Sequence, residues 1–210
     1  YVELATLLAS PSGFQTSTIT LTAPAGVNAI TIFHLIRQVG YLITDNYVLT
    51  GESLPPPVGN NLIANAGVET TSGNPNLPQG WQIGKWGNNT VNFTYPATGL
   101  SSDKSVKVDV TTYTSGDAKW YFTDVPVTPG SAYLFSEDYL ATIVTEPTVR
   151  FKLANGSYQY QRLALAPAVV TPTHLNLPLI VPANTVSLTV FHFIAGVGSL
   201  TTDNLNLVQQ

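Results

Sequence analysis

The chain contains no cysteine and no methionine, and only 10% of its 210 residues are charged. Without cysteine there is no disulfide framework and no thiolate zinc site. Without methionine, even at the first position, the chain reads as processed or trimmed. The charged share is well under the usual quarter. Its eight Lys and Arg are scattered, and the net charge is −4. No basic stripe exists to neutralise a phosphate backbone, which argues against nucleic acid as a partner. No apolar run approaches the roughly 18 residues of a membrane span.

Thr, Val, Leu, Asn, Gly and Pro take the place of charge. They favour short strands joined by turns. Three stretches alternate with the period of half-buried antiparallel strands. In KSVKVDVTTY (104–113), Val106, Val108 and Val110 share one face. In AKWYFTDV (118–125), Trp120 and Phe122 oppose Tyr121 and Thr123. In TVRFKL (148–153), Val149, Phe151 and Leu153 oppose Arg150 and Lys152. Turn signals separate them at Ser115-Gly116-Asp117, Pro129-Gly130, Asn155-Gly156 and Pro182-Ala183-Asn184. No amphipathic helix longer than two turns is evident. The expected fold is all-β: an antiparallel two-sheet sandwich or jelly roll.

The chain also repeats itself. PAGVNAITIFHLIRQVGYLITDNYVL (24–49) and PANTVSLTVFHFIAGVGSLTTDNLNL (182–207) are about half identical without a gap. Phe33-His34 falls on Phe191-His192, and Thr44-Asp45-Asn46 on Thr202-Asp203-Asn204. With one small gap the match runs back to Tyr1, near Tyr160. Such self-similarity indicates tandem units. The expected organisation is the C-terminal strands of an upstream repeat (1–52), a stiff Pro-rich linker (53–59) and one complete sandwich (60–210). Strands are expected near 16–22, 27–36 and 41–49. Three strands cannot cover their own apolar face. The missing part of the upstream repeat, or another copy of the chain, is the expected cover.

NLIANAGVET (61–70), followed by GNPNLPQGW (73–81), resembles the opening of jelly-roll carbohydrate-binding modules, a galactose-binding-like fold. Such modules accompany secreted bacterial polysaccharide deacetylases and glycoside hydrolases. SVKVDV, VPVTPGSAYLFSEDYL and SLTTDNLNL also match the pattern. The resemblance implies a non-catalytic carbohydrate-binding accessory module of an extracellular or cell-surface multi-domain protein, with a polysaccharide or glycan as partner. It also implies a structural calcium ion held by Glu69 and Asp203, with carbonyls from Gly67 and the Asp103–Ser105 loop; oxygen donors of this kind suit calcium. The alternative reading of Glu69 and Asp203 is as turn residues satisfying backbone N–H groups. A second reading of the whole chain is a structural repeat of a stalk or filament, joined by strand complementation between chains.

Sugar rings stack on aromatic faces. Trp86, Tyr113, Trp120, Tyr121, Tyr158 and Tyr160 are the candidates, with Arg150 as a polar neighbour. The alternative is core packing, the commoner role of Trp and Tyr; Trp81 is assigned to the core outright. His34 and His192 share faces with apolar residues and read as satisfied core histidines. His174 reads as loop. Glu137-Asp138 and Asp117/Asp124 offer paired acids, though solvated loop and strand-face charges are the plainer reading. No nucleophile elbow, zinc-protease motif or phosphate loop is present, so no enzyme activity is expected.

Overall fold

The computed structural model describes residues 4–10, 13–19, 21, 30–49 and 59–210. The chain divides into two units, Tyr1–Gly51 and Glu52–Gln210. Nearly all of the expected linker (residues 53–58) lies outside the described residues, as do parts of the strands expected at 16–22 and 27–36.

The second unit is all-β. Its strands are β1 (Trp81–Trp86), β2 (Asn89–Thr98), β3 (Lys104–Tyr113), β4 (Asp117–Phe122), β5 (Val125–Pro126), β6 (Ala132–Ala141), β7 (Glu146–Leu153), β8 (Tyr158–Arg162), β9 (Val169–Ile180), β10 (Thr185–Ile194) and β11 (Gly198–Gln209). One sheet runs β1-β4-β10-β7-β8, with β5 also on β10; the other runs β2-β3-β11-β6-β9. Every pairing is antiparallel. The alternating stretches supply β3, β4 and β7. Their apolar faces meet in one core with Trp81, Tyr133, Phe135, Leu188 and Leu207.

β10 and β11 are the central strands of the two sheets. The opening motif ties the end of β11 in place. Asn61 donates its amide to Leu205 O (2.9 Å), and its Oδ1 accepts from Leu207 N and Ile63 N, both at 3.0 Å. Asn65 adopts a positive φ of 55° and braces Thr70 and Gln79 from the inside of the loop. Trp81 donates its indole N–H to Asn65 O. The recurring Asn of this motif thus pairs backbone groups that the irregular opening would leave open.

The first unit differs. Its described residues form neither strand nor helix. Residues 30–36 and 41–49, which match β10 and β11, are exposed and lie in no strand. The strands expected there presuppose a covering partner beyond this unit. A strand needs neighbours to bond its N–H and C=O groups, and local sequence does not supply them.

Candidate functional site

Alternation along β4, β7 and β10 sends every second side chain away from the core. These side chains line a shallow cleft of about 500 Å³ on the outer face of the first sheet. Phe191 forms its floor. It meets Tyr121 edge-on (5.9 Å between centroids, 80°) and Tyr160 at a tilt (6.2 Å, 42°). Trp86 stands on the rim, and its indole N–H donates to Asp117. Two glycine turns hold that rim. Gly87 and Gly116 have φ of 81° and 93°, and a Cβ on either would strike the backbone of the other turn. The Asn89 amide donates to both Trp86 O and Ser115 O at 2.9 Å, locking the turns together.

The polar groups of the cleft are fixed in pairs. Lys119 pairs with Asp117, and Arg150 with Asp124 at 2.7 Å. The Arg150 guanidinium also lies over Tyr158 (4.8 Å) and Tyr121 (5.5 Å). Burial disfavours its charge, but the Asp124 carboxylate outweighs that and raises its pKa further. Both acids of the Asp117/Asp124 set are committed to these cations, and neither is a solvated charge.

Of the expected platform residues, Trp86, Tyr121 and Arg150 come together here, joined by Tyr158 and Tyr160. Trp120 does not. It precedes Tyr121 on the same strand and so faces the core, where its indole N–H donates to Lys107 O (3.0 Å) and its ring meets Phe93 edge-on. A buried ring offers no face to a sugar. Tyr113 lies at the end of β3 in the other sheet, donating to Gly116 O, outside the cleft. Phe191 and Lys119 are cleft residues that the sequence alone did not single out.

A second cluster gathers where the 100–104 loop meets β11. Asn204 is left-handed (φ 51°), and the register of β11 against β6 shifts between Asp203 and Asn206. This bulge turns the buried Asp203 carboxylate toward the loop. Oδ2 accepts from the N–H groups of Leu100, Ser101 and Ser102 (3.0–3.3 Å), and Oδ1 from Asn204 N at 2.6 Å. Glu69 accepts from Lys104 N (2.9 Å); that bond first, then Ser102, lowers its pKa. Ser102 sits at the centre. Its Oγ lies 2.9 and 3.0 Å from the two Asp203 oxygens, 3.1 Å from Lys104 O and 3.5 Å from Gly67 O. One hydroxyl proton faces four acceptor oxygens, so the donor set is of the kind a hard cation takes.

Glu69, Asp203 and Gly67 are therefore brought together, with Lys104 supplying the carbonyl of the Asp103–Ser105 loop. The Ser105 hydroxyl turns away to donate to Thr98 O, and Asp103 is exposed. Among the described residues no group of three or more His, Asp or Glu is arranged to hold a metal; any cation here would rest on two carboxylates and backbone carbonyls.

A third cluster looks chemical. Thr145 Oγ1 lies 2.6 Å from His192 Nε2, and Glu137 Oε1 lies 2.6 Å from His192 Nδ1. Hydroxyl, imidazole and carboxylate in a row resemble a nucleophilic triad. All three are buried, the Glu137 and His192 side chains at 0% and 1% exposure. No substrate reaches them. The Glu137–His192 contact is close but lacks the alignment of a hydrogen bond. It joins β6 of one sheet to β10 of the other. His192 is the core histidine expected, but Glu137 is not solvated; its partner comes from the opposite sheet. Asp138 is largely covered. Burial alone would raise its pKa, yet hydrogen bonds from Ser101, His174 and Asn204 outweigh that and lower it. His174 is no loop residue. It lies on β9 opposite Asp138, on an edge strand that tolerates Pro172 and Pro178 because one side bonds nothing.

No family model matches the chain, and no curated protein matches it. Solved structures do. The family 22 xylan-binding module of Paenibacillus barcinonensis Xyn10C aligns at TM-score 0.52 with 15% identity, over 74% of this chain and 97% of that one. That module and residues 59–210 share a jelly-roll sandwich. The family 22 module joined to the catalytic module of Clostridium thermocellum Xyn10B, solved with xylohexaose, aligns at 0.51 with 11% identity, over 72% of this chain and 29% of that one. The enzymatically active domain of bacteriophage CBA120 tailspike protein 4 aligns at 0.56 with 17% identity, over 71% of this chain; the chain spans about a fifth of that domain's length. The expected fold is thus the observed one.

Among the described residues, no helix is long and apolar enough to cross a membrane.

Proposed function

We propose that residues 59–210 are a non-catalytic carbohydrate-binding module of an extracellular or cell-surface multi-domain protein. The cleft carries this reading: Trp86, Tyr160 and Tyr121, set over the Phe191 floor, offer aromatic faces beside polar groups already held in place. Pre-set polar groups lose little freedom when a ligand arrives. Lys119 and Arg150 are neutralised by Asp117 and Asp124, so the cleft favours an uncharged glycan over a uronate. Xylan, bound by the Paenibacillus module, is the first polymer to test. Calorimetric titration with xylohexaose and with a galactan oligosaccharide measures it. Trp86→Ala and Tyr160→Ala, both at exposed rings, should each weaken binding about tenfold while leaving the fold intact. Unchanged affinity in the double variant would remove the platform.

Calcium belongs to the same reading. Glu69, Asp203 and the Gly67 and Lys104 carbonyls would hold it, and the ion would supply positive charge that fastens the 100–104 loop to β11. Thermal unfolding in calcium and in chelator tests this. A higher midpoint in calcium, lost in Glu69→Gln, is expected. Identical curves would show that the amide donors to Asp203 suffice.

A further inference from the structure

The two copies of the repeat share one local structure and differ in everything around it. Asn46 and Asn204 are both left-handed, at φ of 53° and 51°. In both, the Asn N–H turns back onto the preceding Asp carboxylate, at 2.7 and 2.6 Å. The left-handed kink that follows Asp203 is therefore present after Asp45 as well. In the complete unit the Asp203 carboxylate also takes three N–H groups from residues 100–102. Among the described residues Asp45 keeps only Asn46. The apolar positions diverge in the same way. Ile194 is 0% exposed and Ile36 51%; Leu200 is 2% and Leu42 40%; Leu207 is 0% and Leu49 64%.

The complete unit shows what covers such a pair of strands. β10 lies between β4 and β7, and β11 between β3 and β6. All four neighbours precede Tyr158. A finished module has those places filled by its own β10 and β11, so it offers 30–49 no seat. The cover must have β1–β7 and lack the last strands.

We infer that residues 30–49 are the last two strands of another sandwich of this kind, completed by the front strands (β1–β7 equivalents) of a preceding repeat. Asp45 takes the amides of that partner's 100–102 loop, and His34 takes the carboxylate of its Glu137 equivalent. Donated strands hold two units together through a ladder of backbone hydrogen bonds, with the side-chain pockets setting register.

The test extends the full chain. Residues 59–159 are placed directly ahead of Tyr1, because Tyr1 aligns with Tyr160. Hydrogen exchange is then followed at 31–36 and 42–49. Exchange there should slow on the order of a hundredfold relative to the unextended chain. Glu137→Ala in the added segment alone should reverse much of that slowing, leaving 188–207 unchanged. Equal exchange in the extended and unextended chains overturns the inference. So does protection already present in the unextended chain as an oligomer, which would make the occupant a second copy and the assembly a strand-swapped filament or dimer.

Discussion

Residues 30–49 and 188–207 say nearly the same thing in sequence, yet only one of them is a pair of strands. The later copy sits at the centre of two sheets; the earlier one runs exposed through the described residues. What they share is the shortest-range feature, an Asp carboxylate folded onto a left-handed Asn. What they do not share is every feature that needs a distant neighbour. Intrinsic preference for the extended state is thus not enough to make a strand here; the ladder partners decide it. The comparison predicts that a given substitution is severe in the later copy and nearly silent in the earlier one.

The largest contrast concerns the histidines. His192→Ala leaves the buried Glu137 carboxyl without its imidazole partner, and removing one member of a buried pair costs about 3–5 kcal/mol. Urea unfolding of the complete unit should show that drop, and His34→Ala should leave the same transition unmoved. A large effect at His34 would mean that this histidine is already packed, and the comparison would fail. Next come the aspartates. Asp203→Ala strands three loop N–H groups that now meet a carboxylate, at a cost of about 2–3 kcal/mol in all. Asp45→Ala should cost little in the same measurement.

Acid sharpens the contrast further. Glu69 and Asp138 both have folded-state pKa values lowered from their ordinary ones, and both brace the 100–104 loop. A lowered carboxyl stabilises the fold above its unfolded pKa, near 4, and loses that contribution as pH falls through the folded value. The complete unit should therefore hold its stability down to about pH 4 and weaken below it. Glu69→Gln with Asp138→Asn should flatten the slope in that window. A slope unchanged in the double variant would place the acid response elsewhere.

Much of the sandwich was legible because most of its strands have one wet face. Val106, Val108 and Val110 alternate with polar residues, so their inward direction follows from the period alone. β10 lacks that signal. It is central and covered on both sides, so LTVFHFI reads as one apolar run. Alternation with Val190 and Ile194 still points His192 inward, but that Glu137 meets it from far away on the other sheet is not in the local sequence. The cleft is hard to read for a related reason, since β1, β4, β7, β8 and β10 each contribute one to three residues to it. Trp120 misled because a tryptophan fits a platform by chemistry; its position beside Tyr121 on an alternating strand already placed the two on opposite faces. Ser102 left no trace, for a serine in a loop rich in serine is distinguished only by the four oxygens that converge on it.

The smallest expected effect probes the one feature both copies possess. Asn204 holds φ at 51° and Asn46 at 53°. A residue with a Cβ is strained there, by roughly 1–2 kcal/mol, and Asn tolerates it better than Ala because its side chain bonds locally. Asn204→Ala should therefore lower the stability of the complete unit by about 1 kcal/mol. Asn204→Gly should recover part of that, since glycine accepts the angle but gives up the side-chain bond to Asp138. Asn46→Ala should leave the urea transition where it is, because a bend that no neighbouring strand reads contributes nothing to a packed state. If Asn46→Ala instead matched Asn204→Ala, the first unit would be folded against something in the isolated chain, and the strands of residues 30–49 would no longer be waiting for a partner.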